Sequence, residues 1–170
     1  MWGKDFQPDE HTLVVKAAED AAYLPTVDVF LPVCNEDIAL LNNTWEHVKA
    51  MDYPSYTVFV LDDGAKDDVR DLAAEHGFQY IRRDDRPHFK KAGNLRYAFA
   101  RTSGEAVVIF DADFCPRSDF LRETTPYLLN STIGILQTPQ FFRWREEQTW
   151  VEQGAGSCQE FFYRMVQVNR

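Results

Sequence analysis

The chain has 170 residues, 45% of them apolar and 26% charged, with a formal net charge of -9 at pH 7. This is a globular composition, long enough to bury a core, and it excludes disordered, collagen-like and disulfide-dense classes. The acidic balance argues against nucleic acid or an anionic membrane surface as the main partner. Three cysteines, Cys34, Cys115 and Cys158, have no CxxC spacing, so neither a disulfide framework nor a cysteine zinc site is expected, and a reducing compartment is the default.

Residues 1–24 read as a lead-in. Leu13, Val14, Ala17, Ala18 and Ala21 share one helical face, and Pro25 ends it. Val27 to Val33 (VDVFLPV) is a β-branched and aromatic run, expected as a buried strand. Ile38, Leu41, Trp45 and Val48 then follow helical spacing, with Asn35 or Asp37 as the cap. Tyr56 to Leu61 predicts a second strand. Val69, Leu72, Ala73 and His76 predict a helix stopped by Gly77. Phe78 to Ile81 predicts a third strand, and residues 82–90 a charged loop. Leu95, Ala98 and Phe99 place a helix over 92–102. Ala106 to Phe110 is the fourth strand, and a helix over 118–125 is limited by Pro126. Ile133 to Gln137 predicts a fifth strand. Residues 146–168 read as a helix in two pieces, interrupted by Gly154 and Gly156.

Apolar strands alternating with helices predict an α/β fold: a mostly parallel central sheet with helices on both faces. Ligands of such sheets bind beyond the carboxyl ends of the strands, so the chemistry belongs just after residues 33, 61 and 110. Cys34-Asn35-Glu36, Asp62-Asp63-Gly64 and Asp111-Ala112-Asp113 stand there. Converging carboxylates repel, and a cation or ligand donors must offset that. Asp111 and Asp113 can both reach a hard divalent ion such as Mg²⁺, which shares its shell with substrate phosphates. Taken alone, Asp-x-Asp can equally cap a helix, and Asp62-Asp63 can serve a turn with Gly64.

Arg82, Arg83, Arg86, Lys90, Lys91 and Arg96 face only Asp84 and Asp85 in the same window, a local balance of +4. A diphosphate needs such charge. Lys91 precedes Ala92, Gly93 and Asn94 at a helix start, where backbone N–H groups favour an anion. Gln137, Thr138, Pro139, Gln140, Phe141 and Phe142 put amides beside aromatic faces, a pattern that holds sugars or fills a core. The histidines do not cluster at metal-ligand spacing, and no glycine-rich phosphate loop or nucleophile elbow is present.

In order, VDVFLPVCNE (27–36), VLDDG (60–64), HFKKAGNLRYA (88–98), VVIFDADFCP (107–116), QTPQFF (137–142) and QEFFYRM (159–165) resemble the processive family-two glycosyltransferases of the cellulose synthase type. The resemblance spans roughly residues 25–170 and implies a GT-A catalytic domain. It implies that Glu36, Asp62 and Asp63 meet the uracil and ribose of a UDP-sugar, with UDP-glucose the expected donor. It implies that Lys91 approaches the diphosphate and that Asp111 and Asp113 hold Mg²⁺ or Mn²⁺, Asp111 also bordering the donor. Gln137 would touch the donor sugar, with Thr138, Pro139, Phe141 and Phe142 on the acceptor-glycan side. The implied reaction is inverting transfer to a growing β-glycan.

The family's Thr-Glu-Asp general-base motif and its Gln-x-x-Arg-Trp motif are not found, and FFRWRE (141–146) is not the latter. The expectation is therefore residues 25–170 as the donor-nucleotide part of an incomplete GT-A domain, itself soluble and inactive in transfer. The parent would be an integral membrane protein that displays this domain to the cytoplasm. Two other readings fit parts of the pattern. One is a haloacid-dehalogenase-like phosphotransferase, whose Asp-x-Asp also follows an apolar strand, although that motif belongs on a first strand. The other is a catalytically inactive interaction fragment.

Overall fold

A computed structural model describes residues 8–139, 149–151, 154 and 158 of the chain. Four strands form one sheet: β1 (Val27–Val33), β2 (Tyr56–Asp62), β3 (Gln79–Ile81) and β4 (Ala106–Ile109). All pairings are parallel, in the order β3-β2-β1-β4. Helices α1 (Pro8–Asp20), α2 (Ile38–Lys49), α3 (Asp67–His76), α4 (Lys90–Phe99) and α5 (Phe120–Thr124) accompany it among the described residues, and a 3₁₀ turn at Thr125–Leu129 follows α5.

Strand alternation decides which residues meet which helix. Val27, Val29, Leu31 and Val33 of β1 face one side. There they pack with Leu41, Trp45 and Val48 of α2, Val69, Leu72 and Ala73 of α3, and Leu121 of α5. Phe30 faces the other side, with Phe59, Leu61 and Ala98 of α4. Helices therefore cover both faces, as the apolar runs predicted. Trp45, Leu41 and Val48 are fully buried; truncating such a tryptophan costs about 3–5 kcal/mol. Asp28, the polar residue inside β1, is buried and accepts the Gly104 N–H at 2.6 Å. Asp37 is the cap of α2, accepting from Ala39 and Leu40 N–H groups, and Gly77 ends α3 in the left-handed conformation at φ 76°.

The chain leaves β1 toward β2 and β3, then returns to β4 on the opposite side. The switch point, where such sheets bind ligands, lies between the ends of β1 and β4. Pro32 sits there. Phe30 accepts from the Phe110 N–H at 3.1 Å, and residues two apart share an edge, so the missing N–H of Pro32 falls just past the end of β4. The ladder stops there and the crevice opens.

Three expectations need correction. Ile133–Gln137 is not a strand. This segment forms no ladder, and Ile135 is 89% exposed. Ile133, Ile135 and Leu136 make it apolar, but a strand exists only by pairing, and Gly134 weakens it further. The fourth strand is half-buried rather than covered on both faces, because β4 lies at the end of the sheet order. The α4 helix begins at Lys90, two residues earlier than its apolar spacing indicated. Of the two-piece helix over 146–168, most lies outside the described residues.

Candidate functional site

Three loop ends meet at the carboxyl edge of β1, β2 and β4. After β1, Glu36 folds back, and its Oε2 accepts the N–H groups of Cys34 at 2.6 Å and Asn35 at 3.0 Å. After β2, the Asp62 carboxylate is buried. Its Oδ1 accepts from the N–H groups of Gly64 and Ala65, and its Oδ2 from Lys66 N–H and the Tyr80 hydroxyl. Burial, and then this bond to Asp62, raises the Tyr80 phenol well above its ordinary range. Asp62, expected against the donor, thus has both oxygens engaged inside its own turn. Gly64 lets that turn touch the β1 loop: a Cβ there would lie 1.6 Å from the Cys34 carbonyl oxygen.

Asp63 is held by Arg83, whose Nε and Nη2 donate to its two carboxylate oxygens, each at 2.7 Å. The two side chains are 1% and 8% exposed. The carboxylate bonds raise the guanidinium pKa further. Arg83 also donates to the backbone oxygens of His88 at 2.7 Å and Lys90 at 3.1 Å. One side chain therefore ties the β2 loop to the entry of α4. Gly93 makes room for this, since a Cβ would meet the His88 oxygen at 2.1 Å.

That entry suits an anion. Phe89 and Lys90 have φ of 55° and 46°, α4 has no side-chain cap, and its first turn holds no acidic residue. Two lysines at the positive end of a helix are unfavourable unless an anion joins them.

After β4 come Asp111 and Asp113, both exposed. Phe114 N–H donates to the Asp111 carbonyl at 2.9 Å, closing the turn. Thr44 of α2 donates its hydroxyl to the Ala112 carbonyl at 2.7 Å, fixing this turn to the core. Lys91 reaches across from α4 and its Nζ donates to Asp111 Oδ1.

A cleft of about 910 Å³ runs beside β4, and Lys91, Asp111, Gln137 and Thr138 are among its lining residues. Glu36, Asp62, Asp63 and Asp113 are not. Pro139 is exposed next to Thr138, whereas Phe141 and Phe142 lie outside the described residues. Among the described residues, no three metal-type side chains gather. The Asp-x-Asp pair would need ligand oxygens to complete a cation's shell. Both carboxylates are hard oxygen donors, and the Lys91 ammonium already stands as a cation on one of them. The residues present fit a divalent ion.

Sequence reasoning missed three supports. Arg83 stood in the basic window as bulk charge, with nothing to single it out as the partner of Asp63, twenty positions away. Thr44 lies among polar residues of α2, where no pattern marks it. Tyr80 read as an ordinary strand aromatic.

A crossover sheet with acidic turns at its switch point is the architecture of GT-A glycosyltransferases. The fold matches a mannosyltransferase from Pyrobaculum calidifontis in complex with GDP-Man and Mn²⁺, with TM-score 0.59 and 26% identity over 77% of this chain and 44% of that one. It also matches glucosyl-3-phosphoglycerate synthase from Mycobacterium tuberculosis in complex with Mn²⁺ and UDP, with TM-score 0.51 and 24% identity over 76% and 47%. The chain belongs to glycosyl transferase family 2, whose family model matches residues 28–167. It is 44% identical over 121 residues to a cellulose synthase catalytic subunit (UDP-forming) of Pseudomonas fluorescens, covering 69% of this chain and 16% of that protein. A putative cellulose synthase 2 of Komagataeibacter xylinus is 40% identical over 73% of this chain and 8% of its own length. The chain thus spans less than a fifth of these relatives. Family membership sets aside the phosphotransferase alternative.

Proposed function

We propose that this chain is the donor-binding part of an inverting, UDP-sugar-dependent β-glycosyltransferase of the cellulose synthase type. The observation that carries the proposal is the ion pair of Lys91, at an uncapped helix start, with Asp111 of the exposed Asp-x-Asp turn beside the switch-point crevice. The P. fluorescens relative supports UDP as the nucleotide and a β-glycan as the acceptor. The two solved structures support a divalent cation.

Asp111 and Asp113 would hold Mg²⁺ or Mn²⁺. When bound, that ion stabilises the charge that develops on the departing nucleoside diphosphate. Lys91 and the first turn of α4 face the diphosphate. Glu36 and the turn that carries Asp63 border the nucleoside; the Asp62 carboxylate closes that turn, and the Asp63 carboxylate is held by Arg83. Gln137 borders the donor sugar, here assigned as glucose. Thr138, Pro139, Phe141 and Phe142 are assigned to the acceptor side. No residue of this chain is assigned as general base, and that group contributes about 10²–10⁴-fold in rate. The isolated chain therefore binds donor without transferring it.

Within a longer enzyme, this part faces the cytoplasm beside membrane-spanning segments. No described helix is itself long and apolar enough to cross a membrane. The test is calorimetric titration with UDP and UDP-glucose, with and without Mn²⁺. Metal-dependent binding that disappears in Asp113→Ala supports the reading; a folded chain that binds neither ligand overturns it.

A further inference from the structure

The rim holds two cation–carboxylate pairs of opposite character. Arg83 and Asp63 are sealed, at 1% and 8% side-chain exposure. Lys91 and Asp111 are open, at 52% and 53%. The first pair is architecture. The second stands where the donor and its cation would act.

We propose that Lys91 is a resident counter-charge that neutralises Asp111 in the empty site and passes to the diphosphate when donor and metal enter. This deepens the reading above and rests on it. Three observations carry it. Asp111 and Asp113 are two apart on one turn, where like charges repel unless a cation stands between or beside them. Among the described residues Lys91 is the basic group within ion-pair distance of either, and it pairs with Asp111 alone, leaving Asp113 open. Lys91 also lies in the first turn of α4, where the helix dipole disfavours a cation and no acidic neighbour compensates. Its pairing with Asp111 relieves both strains in the empty state, and an incoming diphosphate relieves the one on Lys91 better, because that anion also meets the helix N–H groups. Since both side chains are half exposed, the exchange needs rotamer changes only, with no opening of the core.

The consequence is coupling. A divalent ion arriving alone must displace Lys91 from Asp111. A diphosphate arriving alone draws Lys91 away and leaves Asp111 uncompensated. Arriving together, each supplies what the other removes, so each tightens the other's binding.

The experiment compares the full chain with Lys91→Met by titration with Mn²⁺ alone, UDP alone, and UDP at saturating Mn²⁺. Circular dichroism confirms that the variants are folded. Lys90→Met, with the same charge removed one position away, measures the effect of net charge by itself. The expected result has opposite signs. Lys91→Met binds Mn²⁺ alone about two- to fivefold more tightly than Lys90→Met, the range set by an exposed ion pair. It binds UDP with Mn²⁺ more weakly than the unsubstituted chain, and the mutual tightening shrinks. If Lys91→Met matches Lys90→Met in Mn²⁺ affinity, or binds Mn²⁺ less tightly, the exchange is overturned while metal-dependent donor binding by the unsubstituted chain still stands. If the unsubstituted chain binds neither Mn²⁺ nor UDP, both the exchange and the donor-site reading fall.

Discussion

Arg83→Met removes the tie between the β2 loop and the entry of α4. The guanidinium makes two bonds to Asp63 and two to backbone oxygens, with a further contact to Asp85 at 3.3 Å. Its loss leaves the Asp63 carboxylate shielded from water with no partner. Breaking a buried pair from one side costs about 3–5 kcal/mol. Asp84, Asp85, His88 and Lys90 around the pair are exposed, so it lies beneath a thin loop rather than in the deep core, and the lower end applies. The expected loss is about 3 kcal/mol, or roughly 6–12 °C in Tm for a chain of this size. Urea and thermal unfolding followed by far-ultraviolet circular dichroism measure it. Arg83→Lys recovers little, because one ammonium cannot replace a fork that reaches two carboxylate oxygens and two carbonyls. The double variant Arg83→Met with Asp63→Leu recovers part of the stability, since no charge is then stranded. A loss below about 1 kcal/mol in Arg83→Met, or full retention in Arg83→Lys, would refute this account of the loop.

Thr44→Val deletes the hydroxyl that holds the Ala112 carbonyl, and it lowers stability by about 1 kcal/mol. Mn²⁺ affinity falls with it, because Asp111 and Asp113 flank that carbonyl; an unchanged affinity would show that the turn holds its shape without α2. His76 makes stability pH-dependent. Its Nε2–H donates to Asn42 Oδ1 at 2.9 Å, while Nδ1 is buried without a partner among the described residues. Burial lowers its pKa below the ordinary 6.5, so the unfolded chain binds the proton more readily. Its contribution is fully present above about pH 6.5 and is lost as the pH falls through the lowered folded value. Urea midpoints measured between pH 7 and pH 5 fall for the unsubstituted chain and fall less for His76→Gln.

Much of the scaffold was legible because it rests on local pattern. VDVFLPV, YTVFVL and the 3-4-3 spacing of α2 name their own elements, and Asp37 and Gly77 mark helix ends by side-chain and backbone chemistry that needs no distant partner. The rim positions followed from the strand ends. What failed depended on neighbours. Ile133–Gln137 has the apolar residues of a strand without a ladder, and β4 reads as fully buried until its place at the end of the sheet order is known. The division of labour among the acidic residues was equally hidden. Asp62 and Asp63 look alike in sequence, yet one closes its own turn and the other locks onto an arginine from beyond β3. Asp111 and Asp113 stand exposed in the turn after β4.

The most direct test of the donor site is a crystal of the chain with Mn²⁺ and UDP, measured for anomalous scattering at the manganese edge. The account predicts one strong peak against the carboxylates of Asp111 and Asp113, with the diphosphate between that peak, Lys91 and the first turn of α4. A peak elsewhere, or UDP bound with no manganese at Asp113, would contradict it.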